Sequence, residues 1–414
     1  MRRCLALVIA LSLPPALVGA QDIGGRLLAD ARVADALAFA QADEPRTIAD
    51  QIRLCEVPAP PFMEDARARV YADDFRALGL RNVRIDAEGN VLGERPGRAA
   101  RPHLVVSAHL DTVFPEGTDV SVTREGTVLK GPGIGDDCRG LAVMLAIVRA
   151  LDEAGIQTEG PITFVGTVGE EGLGDLRGVK RLFNETLKGQ VDRFISIDGD
   201  GMAITNRAVG SRRYRVTFSG PGGHSFGDFG IANPIHAIGR TVAAVSQFEV
   251  PDDPKTTFSV GRIGGGTSVN AIAQEAWIEV DLRSAESGAL QRLATQFEAA
   301  VDKALADENA RWRDRGRLSV KKEVVGDRPP GRTPDDNVVV ERALAVTRAL
   351  GERVTLDEAS TDANYPMSLG IPAITVGAGG RGVNAHSAEE TFDTTDSSKG
   401  TQRSVLLAVA LGEP

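Results

Sequence analysis

Three apolar runs in this chain lead straight into a histidine or an acid, and that arrangement limits the fold more than anything else in it. His103 to Ser107 runs on to His109 and Asp111, Ile162 to Val168 to Glu170-Glu171, and Phe194 to Ile197 to Asp198. An apolar helical segment, Leu141 to Leu151, lies between the first two runs, and residues 26–40 and 61–78 also carry helical periodicity. The second of these opens after Pro58-Ala59-Pro60-Pro61, where prolines suit a helix start. Asn82 to Ile85 reads as a further strand. Alternating strands and helices imply an α/β layer structure around a mostly parallel sheet. Open sheets of that class place ligands beyond the carboxyl ends of their strands, which is where these polar side chains fall.

The pattern changes near Gly210. Tyr214, Val216 and Phe218 alternate with Arg213, Arg215 and Thr217, a half-buried strand. A helix from Pro234 to about Gln247 follows, then strands at Thr257 to Ile263 and Ala276 to Leu282, a helix at about Ala289 to Ala306, and a strand at Leu318 to Val324. That order is β-α-β-β-α-β. The α/β character resumes after Pro329-Pro330, with a helix at Asp336 to Leu350 and a strand at Ala373 to Val376. The expected organisation is a leader at 1–20, a catalytic domain over 21–209 and 326–414, and an inserted α+β domain over 210–325. A length of 414 residues suits two domains.

Met1-Arg2-Arg3, the apolar stretch Cys4 to Leu13 and the small residues Val18-Gly19-Ala20 read as a secretory signal peptide cleaved near Ala20. The expectation is a secreted or periplasmic protein with no membrane segment after cleavage. Cys55 and Cys138 then remain, and two free thiols is the simpler reading of them. A net charge of −10 argues against nucleic-acid binding, which needs a basic surface.

His109 and Asp111 are two apart at a strand end, so they point to the same face. A neutral imidazole offers one nitrogen to a metal while carboxylates and carbonyls orient it. Asp136-Asp137 sits in Gly131-Pro-Gly-Ile-Gly-Asp-Asp-Cys-Arg-Gly140, just before the apolar helix. Either acid can be a helix cap, and one can be a ligand while its neighbour supports the helix end. Glu170-Glu171, flanked by Gly169 and Gly172, suits one metal ligand and one proton carrier. With Asp198 and His386, the set of two histidines and three carboxylates, one of them shared, would hold two divalent ions. Nitrogen and oxygen donors without thiolate favour zinc, with cobalt or manganese as alternatives. His103 and His236 read as structural.

These stretches, together with Gly220–Ser225 and Ser360–Gly377, resemble the di-zinc exopeptidase family of aminoacylase, glutamate carboxypeptidase, acetylornithine and succinyl-diaminopimelate deacylases and peptidase T. The Ser360-Thr-Asp-Ala-Asn-Tyr-Pro run is most similar to the peptidase T-like branch. The resemblance implies a zinc-exopeptidase-type catalytic domain with an inserted lid used for dimerisation. It implies that Asp136 bridges two metals, His109 and Asp198 completing one site and Glu171 and His386 the other. It makes Asp111 the residue that orients His109, Glu170 the general base, and His224 a residue that reaches a dimer partner's site. Asn270 and Arg283 match positions that meet substrate oxygens and carboxylate. One departure stands out: Cys138-Arg139 occupies the place where the family has a lysine after the bridging acid. The implied function is hydrolysis of amide bonds in small peptides. The alternatives are an N-acyl amino acid deacylase and a metal-bearing binding protein with a dead site.

Overall fold

The computed structural model describes residues 23–414. The leader reading at residues 1–20, and Cys4 with it, lies outside the described residues.

A nine-stranded sheet forms the larger part of the molecule. Its strands run Arg81–Ile85, Val91–Arg95, Ile162–Thr167, Leu104–His109, Arg193–Ile197, Ala373–Val376, Ile204–Ala208 and Gly331–Arg332, with Leu356–Ala359 paired to Ile204–Ala208. The four central strands, Ile162–Thr167 to Ala373–Val376, are mutually parallel, while both flanks add antiparallel neighbours. Parallel strands buried on both faces should be apolar throughout, and every residue of Leu104–His109 and Ile162–Thr167 is buried. Register aligns the strand ends: His109 pairs with Thr167, and Ser107 with Ser196. His109, Glu170 and Asp198 are thereby delivered together to the carboxyl ends of the central strands.

The helix Cys138–Glu153 is buried from Cys138 through Leu151, as an all-round apolar sequence requires. It packs between the sheet and the helices Glu44–Cys55, Ala31–Ala42 and Ser398–Gly412. Gly140 in its first turn meets the sheet closely: a Cβ there would lie 2.4 Å from the Ile197 carbonyl oxygen. The periodic stretch 26–40 is helical but breaks at Asp30, whose carboxylate caps Ala31–Ala42 by accepting from the Arg32 and Val33 amides. The expected helix 61–78 is shorter, Asp65–Ala77. The helices Glu44–Cys55 and Ser398–Gly412 and the strand Val91–Arg95 are further elements that the sequence reading did not name.

Between Gly210 and Arg328 the chain builds a second sheet, all antiparallel, in the order Thr256–Gly265, Glu275–Ser284, Gly210–Ser219, Ser319–Arg328. The helices Pro234–Val245 and Ser287–Arg311 cover one face over a core of their own. A two-residue ladder, Gly223–His224 with Ala271–Ile272, projects from it. The β-α-β-β-α-β order read from the sequence is otherwise the observed one. Among the described residues, no helix is long and apolar enough to cross a membrane.

Candidate metal centre

Asp136 is the hub. Its Oδ1 lies 2.9 Å from His109 Nε2 and its Oδ2 3.0 Å from His386 Nε2. His386 Nε2 is also 2.9 Å from Glu171 Oε1. His386 has a φ of 64°, a left-handed turn that few residues other than glycine adopt. Three groups of donor atoms lie within 4.8 Å of one another: His109, Asp136 and Asp198; Asp136, Glu171 and His386; and His109, Glu170 and Glu171. The first two share Asp136 through opposite oxygens, the donor arrangement that two neighbouring cations take. The donors are all nitrogen and oxygen, so the residues fit zinc, cobalt or manganese.

The electrostatics point the same way. Burial pushes Asp198 up to about 7, with Asp136 and Glu171 adding repulsion against the pull of His109. Burial also raises Glu170 well above the carboxylate range, with Arg328 opposing it and Glu171 adding to it. Hydrogen bonds to Asp136 and Glu171 lift His386 to about 10. Burial disfavours a charged His109, yet the Asp136 hydrogen bond and the surrounding acids raise it well above the usual imidazole value. Several buried acids crowd together here, and positive charge is drawn to them.

Three further carboxylates hold the loops that carry these donors. Asp137 Oδ1 caps the helix Cys138–Glu153 by accepting from the Gly140 amide at 3.1 Å, and its Oδ2 accepts from the His109 amide at 2.9 Å. The two acids of the pair thus divide into a candidate ligand and a cap. Asp111, expected to orient His109, does so mainly through its backbone: its carbonyl oxygen is 3.0 Å from His109 Nδ1, its carboxylate 3.7 Å. The Asp111 carboxylate instead accepts the amides of Glu170 at 3.1 Å and Glu171 at 2.8 Å. Glu390 accepts the amides of Gly133, Gly135 and Asp136 at 2.8–3.1 Å, a role the sequence reading missed. Its only signal was a second acid in the polar loop after His386.

Arg328 was also missed. It ends a strand of the second sheet, is 4% exposed, and donates to Glu170 Oε1 at 3.0 Å and to the Glu170 carbonyl. No spacing in Asp327-Arg328-Pro329 separates it from an ordinary strand terminus. The Cys138-Arg139 departure is accommodated by the core. Cys138 and Cys55 are buried free thiols in an apolar cluster with Ile134 and Phe392. Arg139 is fully buried, 2.8 Å from Glu44 Oε1, and donates to the carbonyls of Ala378 and Ser397.

A cavity of about 430 Å³ opens over the cluster, walled by Asp136, Glu171, Asp198 and His386 on one side and by arginines that include Arg283 on the other. His224 and Asn270 are not among its walls. They lie together on the projecting ladder, where the Ser225 amide donates to the Asn270 carbonyl at 2.9 Å. His224 Nδ1 accepts from the amides of Phe226 and Gly227 at 3.2 Å, and the residue is exposed. His103 is tied to Gln190 and Thr163, and His236 lies 3.5 Å from the buried Glu308; neither belongs to the three donor groups.

A family model described as Peptidase family M20/M25/M40 matches residues 105–409. The Bacillus subtilis protein YqjE is 26% identical over 354 residues, covering 81% of this chain and 91% of its own. Carboxypeptidase G2 of Pseudomonas is 24% identical over 333 residues, 76% of this chain and 77% of that one. In fold, the chain is similar to aminopeptidase PepT from Bacillus cereus, with a TM-score of 0.71 and 23% identity over 89% of this chain and 99% of that one.

Proposed function

The chain belongs to peptidase family M20/M25/M40, and on that premise we propose that it is a di-zinc exopeptidase acting on small peptides. It is a metal-dependent hydrolase of the peptidase and amidohydrolase class. The observation that carries the finer reading is the shared Asp136, one oxygen facing His109 and the other His386, with Asp198 and Glu171 beside them. His109, Asp136 and Asp198 would hold one ion; Asp136, Glu171 and His386 the other. Zinc held there would polarise the scissile carbonyl and bring the acidity of water toward neutral pH.

Glu170 serves as the general base. Its carboxylate stands at the cavity wall, off the Asp136 bridge, and burial strengthens its hold on a proton. It takes a proton from the attacking water and hands it to the leaving nitrogen. Arg328 keeps it aimed, gripping both its carboxylate and its carbonyl. Arg283, on the opposite wall, receives the substrate's carboxylate. Supporting a role for His224 and Asn270 across a homodimer is their place on a projecting ladder, outside the cavity of their own chain. The leader-like residues 1–20 suit a secreted or periplasmic enzyme.

The test is a dipeptide and tripeptide library incubated with zinc-reconstituted protein, with N-acetyl amino acids alongside and amine release as readout. Release from peptides that stops with chelator is the expected result. Release from the acyl amino acids alone would make the chain a deacylase. Two bound ions with no release from either would leave a metal-bearing binding protein.

A further inference from the structure

The wall facing the carboxylate cluster is built from the exposed face of the second sheet. On Gly210–Ser219 and Glu275–Ser284, side chains alternate between the two faces. Tyr214, Val216, Ile278, Val280 and Leu282 are buried against the helices. Arg213, Asp281 and Arg283 take the other face, with Arg213 directly opposite Asp281. Asp281 sits between the two guanidiniums, Oδ1 accepting from Arg213 Nε at 3.3 Å and Oδ2 from Arg283 Nε at 2.6 Å. One carboxylate between two arginines leaves a positive charge over. Because both pairings use Nε, the outer nitrogens stay available: Arg213 Nη1 donates to the Gly172 carbonyl, but Arg213 Nη2 and both Nη atoms of Arg283 have no hydrogen-bond partner among the described residues. Both side chains line the cavity, and among its described walls only Val113 and Ala359 present an apolar side chain. The acids of the opposite wall do not cancel the surplus, since Glu170 is paired with Arg328 and the others are the candidate ligands.

We propose that the preferred substrate carries two carboxylates beside the scissile amide, and that Arg213 reads the second while Arg283 holds the first. This rests on the amide-hydrolase reading above. The substrate class is an amide flanked by a dicarboxylate unit, either an acidic amino acid or a dicarboxylic acyl group. Arg213 is then a specificity residue: a planar fork suited to carboxylate, held in place by Asp281.

Two matched pairs test it on the zinc-loaded protein: alanyl-glutamate against alanyl-glutamine, and N-succinyl-alanine against N-butyryl-alanine. The acidic member of at least one pair should lead by about ten- to hundredfold in kcat/KM, the range for a hydrogen bond to a charged group. The pair that shows the lead identifies the source of the dicarboxylate. Arg213→Gln should collapse that ratio toward one, mainly through KM, and Arg213→Lys should keep part of it. Arg213 also touches Gly172, but a displaced loop would slow both members of a pair and leave their ratio standing. Calorimetry with glutarate against butyrate gives a reading without turnover: glutarate should bind about tenfold tighter, and Arg213→Gln should erase the difference. Equal rates within both pairs, equal binding of the two acids, or a preference that survives Arg213→Gln overturns the proposal. If none of the four amides is cleaved, the hydrolase reading fails, and the calorimetry still decides whether Arg213 reads a second carboxylate.

Discussion

Replacing Asp111 with alanine separates two roles that the sequence could not distinguish. The Asp111 carboxylate is fully buried and accepts two backbone amides, from Glu170 at 3.1 Å and Glu171 at 2.8 Å. A hydrogen bond to a charged group contributes about 1.5–3 kcal/mol, so losing both withdraws roughly 3–6 kcal/mol from the loop before water and relaxation recover part of it. That is a large share of a typical folding stability of about 5–15 kcal/mol, and the loop should shift rather than hold two unpaired buried amides. A displacement near 1 Å at the reacting groups costs on the order of 10² in rate. The carbonyl oxygen of residue 111 survives the substitution, so His109 Nδ1 keeps its 3.0 Å partner. Asp111→Ala should therefore lose about 10² in kcat and weaken the ion held through Glu171 and His386, while the ion at His109 and Asp198 stays. Metal content by mass spectrometry, with kcat and thermal melting alongside, checks this. Asp111→Asn, which keeps one acceptor oxygen, should fall between. Loss of the His109-site ion first would mean that the carboxylate acts through the imidazole, and wild-type kcat with both ions retained would refute the reasoning outright.

Glu170→Ala should keep both metals and lose roughly 10²–10⁴ in rate, whereas Glu171→Ala should lose metal; equal metal loss in the two variants would mean the pair is assigned the wrong way round. His224→Ala and Glu170→Ala chains, each inactive, should on mixing recover up to about half the wild-type activity per heterodimer by two-fold symmetry; a dead mixture with heterodimers seen by native mass spectrometry counts against a role in trans. Metal binding at pH 7 should release protons, because a His386 pKa raised to about 10 leaves the stripped protein's imidazole protonated there and a metal takes only its neutral form; calorimetry in buffers of different ionisation enthalpy measures the number, and zero release contradicts it. Arg139→Ala removes one partner of a buried pair with Glu44 and should cost about 3–5 kcal/mol in denaturant unfolding; a midpoint like that of wild type would show that the arginine is dispensable to the helix start.

Most of the candidate site was legible because its chemistry is local to strand ends. An apolar run followed within three residues by His or acid is a pattern along the chain, and His109, Glu170-Glu171 and Asp198 each follow one. The helix Cys138–Glu153 was legible for the same kind of reason, its apolar residues being continuous. Arg328 and Glu390 were not. Each acts on a residue more than 150 positions away in sequence, Arg328 on Glu170 and Glu390 on the Gly133–Asp136 loop. A lone arginine or glutamate carries no period or spacing that would mark it.

The sequence by itself determined most of the element types, the two layer patterns and the identity of the donor atoms, because hydrophobic period and side-chain chemistry are properties of neighbouring residues. Only the tertiary structure showed how the two acids of each pair are held. In Asp136-Asp137 and Glu170-Glu171 two chemically identical side chains leave adjacent backbone positions in different directions, and the direction depends on which donors lie opposite: the Gly140 and His109 amides for Asp137, the Arg328 guanidinium for Glu170. It also decided that the Asp111 carboxylate holds a loop while its carbonyl orients the imidazole, and that Arg213 and Arg283 share one acid across a strand pair. Most of these contacts join separate segments, from 28 residues apart for His109 and Asp137 to 158 for Glu170 and Arg328, and the register between segments is settled by packing across the sheet, which no stretch of the chain contains on its own.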